Sequence, residues 1–363
     1  MAQIDARALA GITTDVQRTR RYRRAVDSLE RFIEGQLAFW EVPGCAVGVV
    51  RGDEVVLRAG FGVSELGSDA RPGPQTVFPI GSTTKSFTAA AVAALVDDGL
   101  VEWDRPVREV VPGFAMHDPV ATERVTVPDL LSHRTGIPRH EFVWLGHPDR
   151  SRADLVRRLR YLPANKDIRA AFQYSNLGYI AAGHLIEVVT GQTWEDFVAT
   201  RLLKPLGMDR SNTSVAETRR SEDIAQPHER RGGEIVRIPF REFDNAGPAG
   251  AINSCVDDMV AYLRAHLGTG DLLSAAALAE LHAPQIIVPE DRSFPETSRF
   301  AYGLGWVVGG YRGHRIVEHN GGVDGFLTDC MMLPDDGIGV IVLTNMWSSM
   351  GAAIAYRVFD ELL

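Results

Sequence analysis

Ser82-Thr83-Thr84-Lys85 sets a lysine three residues after a serine in a chain that hardly uses lysine. Of its 38 basic residues, only Lys85, Lys166 and Lys204 are lysines; the rest are arginines. Arginine stays protonated and cannot act as a base, whereas a buried lysine can lose its proton near neutral pH. A serine hydroxyl is a poor nucleophile until something removes its proton. At a helical spacing of three, the two side chains share one face and can hydrogen-bond. The pair therefore reads as an activated nucleophile with its base.

Two further segments carry matching chemistry. Phe172-Gln173-Tyr174-Ser175-Asn176 offers a phenol and an amide two residues apart, just before a helix that begins near Gly178. A tyrosine beside a protonated lysine has its pKa lowered, so its phenolate could take the serine's proton and return it to a leaving group. His319-Asn320-Gly321-Gly322 follows a strand and supplies a titratable ring, with glycines where backbone must approach a ligand closely. The loop Leu130 to Pro138 has no nucleophile logic of its own, and His133 and His140 lack a third metal ligand at suitable spacing. Trp306 and Tyr302 read as sheet packing, Asp324 as a turn residue at the cleft, and Trp144 as an alternative substrate wall.

These groups need a scaffold, and the composition is that of an ordinary globular protein. The chain has 363 residues, 45% apolar and 23% charged. A net charge of −9 argues against nucleic acid or an anionic membrane as partner. The basic patch Arg18 to Arg24 reads as a solvated helix face. Cys45, Cys255 and Cys330 are too few and scattered for a disulfide framework or zinc site, and are expected as buried free thiols. The opening MAQIDARALAGITTD has no apolar signal-peptide core, and Phe87 to Val96 is too short and alanine-rich to span a bilayer. A cytoplasmic location is expected.

Apolar spacing predicts a helix over 22–39, then strands Cys45–Val50 and Glu54–Gly60 joined as a hairpin at Gly52-Asp53. The Ser82 helix should end near Gly99. Helices are expected over Leu155–Leu162, Gly178–Thr190 and Thr193–Leu203, and from a capping box at Ser254 to Leu267. Strands return at Trp306–Val308, Arg315–His319, Phe326–Leu333 and Ile338–Thr344, before a last helix over Gly351–Leu362. The fold class is α/β (α+β): one antiparallel sheet built from both chain ends and flanked by helices, with a mostly helical second lobe. Residues 1–21 read as an N-terminal extension and 22–363 as the domain. Its α/β lobe covers about 22–75 and 300–363, and its helical lobe about 76–299. The crevice between the lobes is the expected site.

In their order along the chain, Ser82-x-x-Lys85, Tyr174-x-Asn176 and His319-x-Gly321 resemble the motifs of the penicillin-recognising serine hydrolases. The likeness is to the branch of class C β-lactamase-like serine peptidases and esterases. It runs from about Phe32 to the end and includes Leu130–Gly136, Pro205–Met208, Gly247–Gly250, Tyr302–Trp306 and Leu343–Asn345. The resemblance implies a β-lactamase/transpeptidase-like fold with no cofactor and no metal. It makes Ser82 the acylated nucleophile, Lys85 its partner, and Tyr174 the general base and later the acid. Asn176, His319, Gly321 and Gly322 would bind substrate, and the backbone N–H groups of Ser82 and Gly322 would form the oxyanion hole.

One departure is informative. Where the β-lactamases and transpeptidases carry Lys-Thr-Gly, this chain has His319-Asn320-Gly321, which removes a permanent positive charge. That points away from β-lactam hydrolysis and toward peptidase, amidase and esterase members. Relatives that resemble this chain often carry a C-terminal lipocalin-like barrel and are associated with small peptides, some containing D-residues. The sequence reaches Leu363 without that barrel, so nothing the barrel contributes is carried over. The expected function is a serine hydrolase that forms an acyl-enzyme on Ser82 and cleaves amides or esters of small peptides or acyl compounds, D-residue-containing peptides among them. The alternative is an acyltransferase or peptide cyclase that passes the acyl group to an amine or alcohol. A β-lactamase ranks below these because Lys-Thr-Gly is replaced, and a non-catalytic binding protein because Ser82, Lys85 and Tyr174 are all present. The expected partner is a small molecule or short peptide, and oligomeric state is left open.

Overall fold

The computed structural model describes residues 6–270, 272–289 and 295–363. Helix α1 (Ala6–Trp40) leads into strands β1 (Gly44–Arg51) and β2 (Glu54–Gly62), joined by the expected tight turn. Helix α2 (Thr84–Asp97) follows the nucleophile turn, and helix α3 (Asn176–Thr190) follows the tyrosine segment. After helix α4 (Val256–His266) come β3 (Ile286–Ile287), β4 (Thr297–Tyr302), β5 (Val307–Tyr311) and β6 (His314–Val323). Strands β7 (Phe326–Leu333) and β8 (Ile338–Thr344) and helix α5 (Met350–Leu362) complete the chain.

Among the described residues, eight strands form one sheet in the order β2-β1-β8-β7-β6-β5-β4-β3. Every pairing is antiparallel, and Val47 lies opposite Val342, so the two chain ends are joined at the centre. Strand β8 is buried on both faces, which explains its unbroken apolar run Ile338–Leu343. Its odd and even residues part company as a pleat demands. Ile338, Val340 and Val342 pack with Leu29, Ile33, Ile354 and Phe359 from α1 and α5, whereas Ile341 and Leu343 face the other core.

Helix α2 is the axis of that second core. Its residues Thr84 to Leu95 are all buried; from Ala89 to Leu95 it is apolar all round, and the buried Lys85, Ser86 and Thr88 of its first turns are hydrogen-bonded. The five alanines from Ala89 to Ala94 favour helix and let its neighbours approach closely. The helix is followed by Gly99 at φ +71°, as its sequence suggested.

Several elements differ from expectation. The first helix begins at Ala6 and not near 22, so it takes in 6–21; residues 1–5 lie outside the described residues. Helix α4 sits within the stretch assigned to the helical lobe yet packs on the sheet: Val256 and Val260 reach the strand at Gly48, where an added Cβ would fall 2.9 and 2.8 Å from them. Its expected capping box does not form, because Ser254 pairs in a short bridge with Phe78 and bonds Ser211 Oγ at 2.7 Å instead. The helical lobe also contains a hairpin, His228–Arg231 with Glu234–Arg237. The three cysteines are buried free thiols. Among the described residues no helix is long and apolar enough to cross a membrane.

Candidate active site

The nucleophile turn is held from behind before it reaches the cleft. Phe78-Pro79 pairs with Asn253-Ser254, and the Ile80 N–H donates to Ile252 O at 3.0 Å. A 3-10 turn over Gly81–Thr83 then runs into α2, which places Lys85 one turn beyond Ser82. Lys85 is fully buried, and its Nζ lies 3.0 Å from Ser82 Oγ and 2.7 Å from Ala249 O. Burial drives its pKa well below the ordinary lysine value; Glu141 acts weakly against that and Arg139 weakly with it. A lysine so placed is poised to accept a proton.

Tyr174 shares Ser82. Its phenol lies near the serine, whose side chain acts on its ionisation, and Lys85 Nζ stands 4.9 Å from its ring centroid. The expectation that lysine would depress the tyrosine's pKa does not hold. Burial, the dominant effect, pushes Tyr174 well above its usual range, and the nearby Ser82 side chain offsets only part of this. Beneath Tyr174 lies His133, ring centroids 4.3 Å apart, with its Nδ1 accepting the Ser175 N–H at 3.1 Å. His133 sits at φ +60°, a conformation imposed by its loop. That loop is anchored by fully buried Asp129, which accepts Arg134 Nε at 2.6 Å and Arg169 nitrogens at 2.9 and 2.8 Å. The segment without nucleophile logic is thus the platform for Tyr174. Among the described residues no group of three His, Cys, Asp or Glu side chains could hold a metal.

The third segment lies on β6. Strand β5 pairs with β6 only as far as Glu318, so residues 319–323 turn that edge toward the nucleophile turn. Thr83 Oγ1 donates to His319 O at 3.4 Å across the gap. A Cβ on Gly321 would lie 1.8 Å from Ile80 O, so only glycine lets the two backbones meet. Gly322 lies beside Ser82 on the cleft. His319 is placed otherwise than expected: its ring is 3% exposed, with Nε2 2.8 Å from Tyr302 Oη and Nδ1 2.6 Å from Asn320 O. Burial, aided by Lys85, brings its pKa down to about 3, so it is neutral. Neither His319 nor Gly321 lines the cleft; both support the strand that presents Gly322.

The whole arrangement can be set beside known proteins. Residues 29–362 match the family described as beta-lactamase. The chain belongs to the beta-lactamase family. An unguisins hydrolase from Aspergillus campestris is 35% identical over 340 residues, 89% of this chain and 63% of that protein, so the chain spans less than two thirds of that relative. The octameric penicillin-binding protein homologue from Pyrococcus abyssi superposes with a TM-score of 0.84 at 28% identity, covering 93% of this chain and 77% of that one. D-amino acid amidase from Ochrobactrum anthropi SV3 gives a TM-score of 0.76 at 25% identity, covering 92% and 98%. The fold is therefore that of β-lactamases and penicillin-binding proteins.

On this beta-lactamase-family scaffold the cleft in front of Ser82 has a volume of about 310 Å³. Its walls include Trp144, Phe243 and Trp347, the last 64% exposed and lying over Gly322, where a Cβ would come within 2.3 Å of the indole. Four charges rim it in two pairs. Arg139 Nε donates to Glu141 Oε1 at 2.9 Å, and Arg241 Nε donates to Asp324 Oδ2 at 2.7 Å. Asn176, expected to meet substrate, directs its Nδ2 to Glu141, 3.1 Å from Oε2. Sequence reasoning named Trp144 and Asp324 but not Glu141, Arg241, Phe243 or Trp347. Their sole signal was position on loops of the insert, or after β8, with no local motif.

Proposed function

We propose that this protein is a serine hydrolase that cleaves amide or ester bonds of small peptides or acyl compounds through an acyl-enzyme on Ser82. One observation carries this: Ser82 Oγ lies 3.0 Å from buried Lys85 Nζ, beside Tyr174 and Gly322 in an open cleft. Neutral Lys85 accepts the Ser82 proton as Oγ bonds to the carbonyl carbon, and the N–H groups of Ser82 and Gly322 bind the oxyanion. As the intermediate collapses, the bond to the leaving amine or alcohol breaks. Tyr174 gives that group its phenolic proton and is reprotonated from Lys85. Water then enters and the same groups act in reverse, releasing the acid and restoring Ser82.

The base assignment thus moves back to Lys85, with Tyr174 as the proton carrier. The hydrolase and amidase among the relatives support amide cleavage as the reaction class. Neutral, enclosed His319 gives a β-lactam carboxylate no charge to bind, which supports the peptidase and esterase reading. A panel of p-nitroanilides and p-nitrophenyl esters in L and D series tests the reading. Turnover that disappears in Ser82→Ala is expected; turnover that survives the substitution would overturn it.

A further inference from the structure

We infer that Glu141 determines specificity by taking the protonated α-amino group of an aminoacyl substrate, an assignment that rests on the hydrolase reading above. Its carboxylate is the cleft's preorganised acceptor. The side chain is 22% exposed and is held between Arg139 and Asn176, the first residue of α3. Oε1 accepts Arg139 Nε at 2.9 Å and Asn176 Nδ2 at 3.4 Å, while Oε2 accepts only Asn176 Nδ2, at 3.1 Å. A carboxylate offers about four lone-pair positions, so Oε2 keeps room for a donor.

Arg139 offsets this charge without occupying both carboxylate oxygens. Its side chain is 60% exposed and touches Glu141 through Nε alone, and such solvent-facing pairs are weak. Asn176 adds a second demand of the same kind. With its N–H group committed to Glu141, its Oδ1 is buried with no hydrogen-bond partner and calls for a donor. An ammonium has three N–H donors and suits both acceptors.

Apart from Arg139, whose terminal nitrogens stay open to solvent, the cations near Ser82 are already engaged. Arg241 is engaged through Nε and a second guanidinium nitrogen by one oxygen of Asp324. His319 is enclosed, and Lys85 is buried against Ser82 and Ala249. Glu141 also acts electrostatically on Lys85 and Tyr174, so a charge bound to it lies within reach of the reacting atoms. An α-amine is one carbon from the scissile carbonyl. The aromatic walls Trp144, Phe243 and Trp347 suit an apolar side chain on that carbon.

The test is protection of Ser82 from a fluorophosphonate by phenylalaninamide and by N-acetylphenylalaninamide, each in both enantiomers. For at least one enantiomer the free amine should protect about 10-fold more tightly than its acetylated partner at pH 7, in line with a charge-assisted bond. In Glu141→Gln that ratio should fall to within about 3-fold, and taking a ratio cancels any shared loss through Asn176. In the wild type, protection by the amine should also weaken above a pH of about 8, as α-amino groups deprotonate, while the acetylated compound shows no such change. Equal protection, no protection by either compound, or a ratio unchanged in Glu141→Gln would overturn the assignment. Labelling of Ser82 in those cases leaves the hydrolase reading standing, whereas absence of labelling sinks both.

Discussion

Lys85 makes its shorter hydrogen bond to the carbonyl of Ala249, at 2.7 Å, and its longer one to Ser82. The carbonyl fixes one N–H, and in the neutral amine the lone pair is then free to face the serine. Burial disfavours the charged amine, and on the proposed mechanism this is what lets Lys85 serve as the base.

Lys85→Arg keeps a cation but no base, and so should lower kcat/KM on p-nitrophenyl esters by about a thousandfold or more. The pH profile of the wild type follows from the direction of the shift. Activity should rise with pH through an apparent pKa well below the lysine reference of about 10.4, as the amine loses its proton. A limb at or above that reference would contradict Lys85 as the base.

Tyr174→Phe removes the hydroxyl that faces Ser82 and keeps the ring that packs against His133. A loss of about 10²- to 10⁴-fold in kcat is expected for p-nitroanilides, whose leaving amine needs a proton. The loss should be smaller for p-nitrophenyl esters, whose leaving group departs unprotonated. Steady-state kinetics on matched amide and ester substrates measures the difference.

The three segments that meet at the candidate site were legible because each is a short local motif at the start of a helix, near Ser82 and Tyr174, or on a strand, at Gly322. Strand periods and the terminal helices were legible for the same reason, and Phe326–Leu333 and Ile338–Thr344 match their expected limits. Contacts across the fold were not. Glu141 meets Asn176 across 35 residues, Arg241 meets Asp324 across 83, and Trp347 covers Gly322 from the loop after β8. His319 shows the converse failure: its motif located the strand correctly, but only the position of Tyr302 reveals that the ring turns inward.

Asp129 should be the platform's weak point. Burial raises the pKa of this carboxyl, but bonds from Arg169, Thr126 and Arg134 outweigh that and hold it below its usual range. Its contribution is present above the unfolded pKa of about 3.9 and is lost as pH falls through the lower folded value. Asp129→Ala leaves two arginines without their partner and should cost about 3–5 kcal/mol, read by denaturant unfolding.

Asp329 titrates with the opposite sign. It lies opposite Asn320 between β7 and β6, with buried Oδ2 unpartnered and Glu318 nearby on the same face. Burial pushes its pKa up to about 7, above the unfolded value. The protonated carboxyl is the stable buried form, so stability should fall as pH rises from about 4 through 7. Asp329→Asn should match the wild type near pH 5 and melt higher than it at pH 8, by thermal denaturation at both pH values.

Intact-mass and peptide mass spectrometry after treatment with a fluorophosphonate test the central claim most directly. One adduct is expected, on the peptide containing Ser82, and it should be absent in Ser82→Ala. An unmodified wild-type mass under conditions that label a control serine hydrolase, or an adduct on any other residue, would contradict Ser82 as the nucleophile.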